Sequence, residues 1–434
     1  MKRLILIAMT AAGLSAQMRP VETAYVDVDL PSEAAGGGTL AVRLLYTQGA
    51  RPLLRGGAPV VIEVPGGFDV GTLQPVLDAG FSGFVYVRFL FPGGRQPGRA
   101  SGGVYDTRGP ASVMALRDVA LYASGRLRDR NGKTIEEALP FPVLTNNVGL
   151  LGLSFGGNAS TIVLAKYGAV LTGVRYFVGW ENPTNGQIAT GEPGPGGTVT
   201  CPANGRPVSR DLLNPFFAGY GAEALRFDYS KVRWDGTRLF FDGNGNGRVD
   251  TVPVEGGCEG TDVNGDGRIA ENEDFPVNGI LANGVRYFSP QLTEAGARVV
   301  ASWPANVANP GQAAAFWSER EAVRFYDGVR RDLEVMLLAS VRDHVQTSPG
   351  HHHIRQAFEG FHRNGVWVKI NPLRESLAEL QPVLGTRSDI PENEPNAAAN
   401  WTRPESFAYP EGIPDSLVWA AGAREMARRA AGIE

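Results

Sequence analysis

Ser154 stands at the centre of Gly152-Leu153-Ser154-Phe155-Gly156, a G-x-S-x-G pentapeptide. The apolar run Val148 to Leu153 reads as a buried strand, and Asn158 to Tyr167 reads as a helix. A strand that turns at once into a helix forces the intervening serine into a strained backbone conformation. It also lifts the hydroxyl above the sheet and admits only small neighbours, which accounts for the flanking glycines. The chemistry such a residue can do is nucleophilic attack on an acyl carbon, with its proton passed to a neighbouring base. Upstream, Val64-Pro65-Gly66-Gly67-Phe68 closes another apolar strand. Glycines there allow backbone N–H groups to approach a substrate oxygen, so Gly66, Gly67 and Phe155 are the candidate oxyanion donors. Losing one such donor costs roughly 3 kcal/mol of transition-state stabilisation.

A different chemistry is written further on. Asp262-Val263-Asn264-Gly265-Asp266-Gly267-Arg268-Ile269-Ala270-Glu271-Asn272-Glu273 fits the twelve-residue calcium loop of EF-hands throughout. Oxygen ligands at alternate positions wrap a hard cation, a central glycine allows the sharp turn, and a final glutamate supplies two oxygens. The expected ligands are Asp262, Asn264, Asp266, the Arg268 carbonyl and Glu273. A shorter repeat, Asp242-Gly243-Asn244-Gly245-Asn246-Gly247-Arg248-Val249-Asp250, offers Asp242, Asn244, Asn246 and Asp250. Its twelfth position is Pro253, which brings no carboxylate, so this loop is expected to be the weaker one. Calcium is the one cofactor the residues imply.

The elements that must position these groups follow from periodicity. Thr23 to Leu30 and Leu40 to Tyr46 alternate apolar and polar residues, as half-buried strands do. Pro59 to Val64 and Gly83 to Phe91 are apolar runs broken only by Glu63 and Arg88, which suits a parallel sheet covered on both faces. Leu73 to Ala79 reads as a short helix between them. Ala111 to Ser124 is an amphipathic helix with Val113, Leu116, Val119 and Ala120 on one face. Val174 to Val178 is a further strand, and strand alternating with helix points to an α/β succession. Between about 183 and 310 the chain is rich in Gly, Pro, Asn and Asp, too long for a plain loop. It reads as an inserted subdomain whose aromatic residues include Phe216, Phe217, Tyr220, Trp234 and Tyr287. The rhythm then returns. Ser318 and Glu321 suggest a capping box for a helix through Val329, followed by a strand Leu333 to Ala339, a helix His351 to His362, a strand Val366 to Ile370 and a helix Ser416 to Ala430.

With the elbow, the Gly66-Gly67 turn and this alternation in place, the chain resembles the α/β-hydrolase superfamily over about 38–182 and 311–372. Ala115-Leu116-Arg117-Asp118-Val119 followed by Asp129-Arg130-Asn131-Gly132 is similar to the segment before the elbow in its esterase and prolyl-oligopeptidase-like branches. The resemblance implies a mostly parallel eight-stranded sheet with helices on both faces, a large insertion acting as a lid, and a serine, an acid and a histidine in that chain order. Asp343-His344-Val345-Gln346 resembles the family's acid loop after the seventh strand, making Asp343 the candidate acid; Glu181 is the alternative. The family's histidine follows the last strand, but here that strand leads to Asn371-Pro372-Leu373-Arg374-Glu375, and no histidine lies beyond His362. The base is therefore expected from His344 or from the His351, His352, His353 run, or it is absent, since geometry rather than chain order defines a triad. At most two of three consecutive histidines on a helix can share a metal, so that run is a weak metal candidate.

Composition limits the alternatives. The chain has 434 residues, 43% of them hydrophobic and 20% charged, and a net charge of -4. That excludes a disordered chain and gives no basic footprint for nucleic acid. Lys2 and Arg3, the apolar run Leu4 to Leu14 and the small pair Ser15-Ala16 read as a signal peptide ending at 16, too short to span a membrane of roughly 30 Å. Export makes a disulfide between Cys201 and Cys258 the expectation for the two cysteines. The resulting organisation is a signal peptide over 1–16, a hydrolase core over 17–183 and 311–434, and an inserted calcium-binding subdomain over 184–310. Two functions fit: a secreted or periplasmic serine hydrolase acting on a small-molecule ester or a peptide, or an inactive binding protein that keeps the fold and the calcium loops.

Overall fold

The computed structural model describes residues 21–185, 198–200, 207–209, 229–236, 239–242, 245–248, 252–253, 259–260, 275–277, 279–341, 343, 351–380 and 390–433. Its centre is an eight-stranded sheet: β1 (Thr23–Pro31), β2 (Thr39–Thr47), β3 (Ala58–Val64), β4 (Val85–Phe89), β5 (Val143–Leu153), β6 (Val174–Trp180), β7 (Glu334–Leu338) and β8 (Trp367–Ile370). The spatial order is β1-β2-β4-β3-β5-β6-β7-β8. β2 pairs antiparallel with β1 and β4, and every pairing from β4 onward is parallel. This is the strand order of the α/β-hydrolase fold.

Continuous apolar strands are needed because both faces are covered. Val60, Ile62, Leu150, Val335 and Leu337 join one core cluster, with the helices α1 (Pro110–Ala123), α2 (Gly156–Tyr167) and, further along, α5 (His352–Arg363). Their chain neighbours Val61, Leu151, Met336 and Leu338 join the other, under α6 (Asp415–Ala430). The period of two sends alternate side chains to opposite cores, so a polar residue would be costly at almost every position.

Between β6 and β7 lies a small unit with its own core. Val232–Trp234, Leu239–Phe241 and Phe275–Val277 form a three-stranded ribbon. Ile280–Ala282 pairs with Val285–Tyr287, and α3 (Pro290–Val299) and α4 (Pro310–Ser318) follow. Val232, Leu239, Phe288, Leu292, Ala295 and Val307 are buried together, with Trp234 packed against them. Tyr287 stacks on Phe316 at 4.0 Å, while Phe216, Phe217 and Tyr220 lie outside the described residues.

Two expected elements are replaced. Leu73 to Ala79 is not a helix; only a 3-10 turn, Ala79–Phe81, forms there. Its backbone groups are taken by distant partners: Leu73 N–H donates to Gln96 Oε1, Arg43 Nη1 donates to the Leu73 carbonyl, and Leu77 N–H donates to Thr23 Oγ1. Pro75 has no N–H to offer a helix. The Ser318–Glu321 box is also not used. The helix there is α4, which ends at Ser318 and is capped at its start by Asn309 and Gln312. The following N–H groups go to the core instead, Ala322 to Asn158 Oδ1 at 2.7 Å and Val323 to the Thr184 carbonyl at 3.0 Å, leaving two 3-10 turns.

Candidate active site

Ser154 sits between the end of β5 and the first residue of α2, at φ 48°. A non-glycine residue in that region costs about 1–3 kcal/mol and persists only when its surroundings hold it there. The surroundings are specific. Ser154 N–H donates to the Trp180 carbonyl at 2.8 Å, and the Ser154 carbonyl accepts from Asn182 Nδ2 at 2.7 Å and from Gly157 N–H at 2.9 Å. Asn182 Nδ2 also donates to the Gly152 and Trp180 carbonyls, at 2.9 and 3.0 Å. Glycines make the bend possible. A methyl group on Gly156 would lie 2.1 Å from the Val64 carbonyl oxygen, and one on Gly157 would lie 2.0 Å from the Asn182 side chain.

The Gly66-Gly67 turn lies directly beside this serine. A methyl group on Gly66 would come within 3.1 Å of the Ser154 Cβ and of the Leu153 carbonyl oxygen. Gly67 has φ 56°. Arg108 holds the turn from behind, its Nη2 donating to the Pro65 carbonyl at 2.8 Å and to the Gly66 carbonyl at 3.3 Å. The Arg108 guanidinium is buried over the Phe91 ring, and that burial pushes its pKa below the ordinary value. Tyr105 Oη donates to the Phe68 carbonyl at 2.7 Å. The start of α2, with its positive dipole end, lies at the same place. The Gly66-Gly67 turn and the start of α2 therefore both lie beside the serine.

An aromatic cluster closes one side. Phe155 packs on Phe68 with centroids 4.3 Å apart, and Trp317 meets both rings at 6.4 Å. Trp317 belongs to α4, and its Nε1 donates to the Phe288 carbonyl at 2.7 Å. Arg320 donates to the Asp106 and Thr107 carbonyls at 2.6 and 2.8 Å. The unit between β6 and β7 is thereby fastened to the elbow.

The titratable candidates gather at the ends of β6 and β7. Glu181 directly follows β6 at φ 45°, is buried, and accepts from Ser340 Oγ at 2.5 Å. Asp343 is buried beyond β7. His351, the N-cap of α5, is buried at φ 37°; its Nε2 lies 2.7 Å from the Ser340 carbonyl oxygen, so that nitrogen carries the proton. His351 Nδ1 has no hydrogen-bond partner among the described residues. His353 is differently employed. Its Nδ1 accepts from the Thr184 N–H at 3.1 Å, which puts the ring proton on Nε2 and ties the segment after β6 to α5. His344, the His352 side chain, Cys201, Cys258, the loop Asp262 to Glu273, and Asn244 and Asp250 lie outside the described residues, as does 1–16. No group of three His, Cys, Asp or Glu side chains that could hold a metal occurs among the described residues. No helix among them is long and apolar enough to cross a membrane.

After β8, where the resembled family has its histidine, stands Asn371 at φ 59°. Its Oδ1 accepts from Ala339 N–H at 2.9 Å, and its Nδ2 donates to the Ala339 and Phe407 carbonyls at 3.0 and 2.9 Å. It joins the ends of β7 and β8. Asn182, Arg108 and Asn371 do not stand out in the sequence. An asparagine just after an apolar strand is the only local signal for two of them, and Arg108 gives none.

No family model matches the chain, and no curated protein matches it by sequence. Solved structures do. An esterase of Pyrobaculum calidifontis is 19% identical over 40% of this chain, with a TM-score of 0.26. The chain spans 48% of that esterase's length. Brefeldin A esterase, described as a bacterial homologue of human hormone sensitive lipase, is 12% identical, with 97% of this chain and 81% of that one covered and a TM-score of 0.43. One of two fungal esterases from Rhizomucor miehei is 11% identical, covering 96% and 88%, with a TM-score of 0.40.

Proposed function

We propose that this protein is a serine hydrolase that cleaves an ester or peptide acyl bond. The observation that carries the reading is the juxtaposition of the Gly66 turn with a serine held at positive φ, the two lying within 3.1 Å once a methyl is built on the glycine. In this reading Ser154 Oγ bonds to the carbonyl carbon, and the N–H groups of Phe155 and the Gly66-Gly67 turn hold the oxyanion. The Ser154 proton passes to an imidazole and then to the leaving alcohol or amine; water reverses the sequence on the acyl-enzyme. The base comes from the histidine-bearing stretch after β7. His344 follows the candidate acid Asp343 directly in sequence, and His351 has a bare Nδ1, whereas His353 is committed to Thr184. Asp343 or Glu181 orients the base. Export through the 1–16 leader, a Cys201–Cys258 disulfide, and calcium on Asp262, Asn264, Asp266, Arg268 and Glu273 complete the proposal.

The test is a fluorophosphonate probe applied to the full chain with calcium present. Labelling of the wild type that disappears in Ser154→Ala supports the enzyme. Single alanine variants of His344 and His351 then identify the base by which one abolishes labelling. One observation favours a second reading, a binding protein that keeps the fold: Asn371, the first residue after β8, is taken up by structural hydrogen bonds, and no histidine follows it in the sequence. Absence of labelling in the folded, calcium-loaded wild type supports that alternative.

A further inference from the structure

We infer that Arg108 is a positioning residue whose buried positive charge, set behind the Gly66-Gly67 turn, strengthens the N–H donors of that turn toward a developing oxyanion. This role exists only if the serine-hydrolase reading holds. Backbone strain puts the side chain in place. Thr107 and Arg108 stand consecutively at φ 56° and 63°, a region that residues with side chains rarely adopt. Arg320 fixes the pair through the Asp106 and Thr107 carbonyls. The Asp106 carboxylate in turn accepts from the N–H groups of Gly109, Ala111 and Ser112 at the start of α1. Strain of this kind persists only where the surroundings over-determine it, and it gathers at functional sites. The side chain is carried inward, 1% exposed, with its guanidinium carbon 4.1 Å from the Phe91 ring centroid.

The guanidinium is poorly satisfied there. Nη2 donates to the Pro65 carbonyl at 2.8 Å and to the Gly66 carbonyl at 3.3 Å. Nε and Nη1 are buried and have no hydrogen-bond partner among the described residues. Asp69 and Asp106 act on the charge through space, and neither forms an ion pair with it. A buried cation held this way costs stability, and an apolar side chain of similar volume would serve the fold as well or better. Packing therefore does not account for it. A fixed charge aimed at a place where negative charge develops does.

The peptide group is the link between the charge and the chemistry. The Pro65 carbonyl shares a peptide with the Gly66 N–H, and the Gly66 carbonyl shares one with the Gly67 N–H. A trans peptide sets its carbonyl and its N–H on opposite sides, so both N–H groups point away from the arginine. Neither donates to an acceptor among the described residues. A cation bonded to the carbonyl draws electron density through the conjugated C–N bond and leaves the N–H a stronger donor, as along any hydrogen-bonded chain. Burial keeps water from screening the effect. One charge thus polarises both N–H groups before a substrate arrives. Because the single nitrogen Nη2 makes both contacts, an ammonium can stand in for the guanidinium, whereas a neutral donor can hold the turn without polarising it as strongly.

The experiment compares Arg108→Lys, which keeps the charge, with Arg108→Gln, which keeps a donor and loses the charge, in the full-length protein. Three quantities are read: the second-order rate of fluorophosphonate labelling, the affinity for phenylboronic acid, which forms a tetrahedral anion on a nucleophilic serine, and the melting temperature. Arg108→Gln should label about 30-fold more slowly and bind the boronic acid more weakly by a similar factor, while Arg108→Lys stays within about threefold of the wild type on both. Arg108→Met, close in length and apolar, serves if the glutamine variant fails to fold. It should show the same slowing even where its melting temperature equals that of the wild type. Wild-type rates in folded Arg108→Gln or Arg108→Met overturn the inference and leave the hydrolase reading intact. Equal slowing in Arg108→Lys and Arg108→Gln does the same, since the shape of the arginine and not its charge would then be what matters. A folded wild type that is not labelled overturns the hydrolase reading and this role together.

Discussion

Replacing Gly66 by alanine separates the proposed oxyanion role of its turn from the stability of the fold. The new methyl would sit 3.1 Å from the Leu153 carbonyl oxygen and 3.1 Å from the Ser154 Cβ. Comfortable contacts begin at about 3.5 Å, so the turn must retreat by roughly 0.4 Å. It cannot retreat freely, because Arg108 holds the Pro65 and Gly66 carbonyls on its other side. The displacement therefore appears as a tilt of the Gly66-Gly67 N–H groups away from the oxyanion position. Losing one such donor costs about 3 kcal/mol in the transition state, close to a 100-fold fall in rate. The turn is only half-buried, so overpacking should cost the fold about 1 kcal/mol. The assay is the second-order rate of fluorophosphonate labelling, which needs no known substrate, measured beside the melting temperature. The expected result is labelling slowed about 100-fold with melting lowered by only a few degrees. A normal labelling rate in a folded variant would refute the oxyanion assignment.

Asn182→Ala removes the donor shared by the Gly152, Ser154 and Trp180 carbonyls, the last two of which keep one backbone donor each, from Gly157 and Ser154; urea unfolding should register a loss of about 1–3 kcal/mol. Labelling of the folded fraction should also slow, because the bend that presents Ser154 relaxes. Asn371→Ala strips three hydrogen bonds from the ends of β7 and β8 and strains a position at φ 59°. It should cost about 2–4 kcal/mol by the same measurement, and a neutral result would mean the asparagine is not the strand-end clasp described above. Asp78 supplies a pH test. Burial pushes its carboxyl above the ordinary range, with Arg88 opposing. A folded-state pKa raised above the unfolded value means stability present at low pH that is lost as pH rises through it. Asp78→Asn should therefore raise the melting temperature at pH 7, and the gain should shrink below pH 4; a gain independent of pH would contradict the burial argument.

The bend around Ser154 is legible in the sequence because it is a local device: a buried strand, a serine, and glycines that admit the bend all lie within a few residues. The sheet strands are legible for a similar reason, since a strand covered on both faces must be apolar at successive positions, as Val60 to Ile62 and Leu150-Leu151 are. Where non-local partners outcompete local preference, the sequence misleads. The helix expected at Leu73 to Ala79 gives way to hydrogen bonds with Gln96, Arg43 and Thr23, and the Ser318–Glu321 box gives way to Asn158 and Thr184. The site divides along the same line. Chain order places Ser154 after an apolar strand, but only folding sets Gly66 against it, puts Arg108 behind the turn and folds the Asn182 amide onto three carbonyls. Most of these contacts join residues tens of positions apart. A residue's type announces what it can bond to, and the tertiary structure alone decides which partner comes within reach.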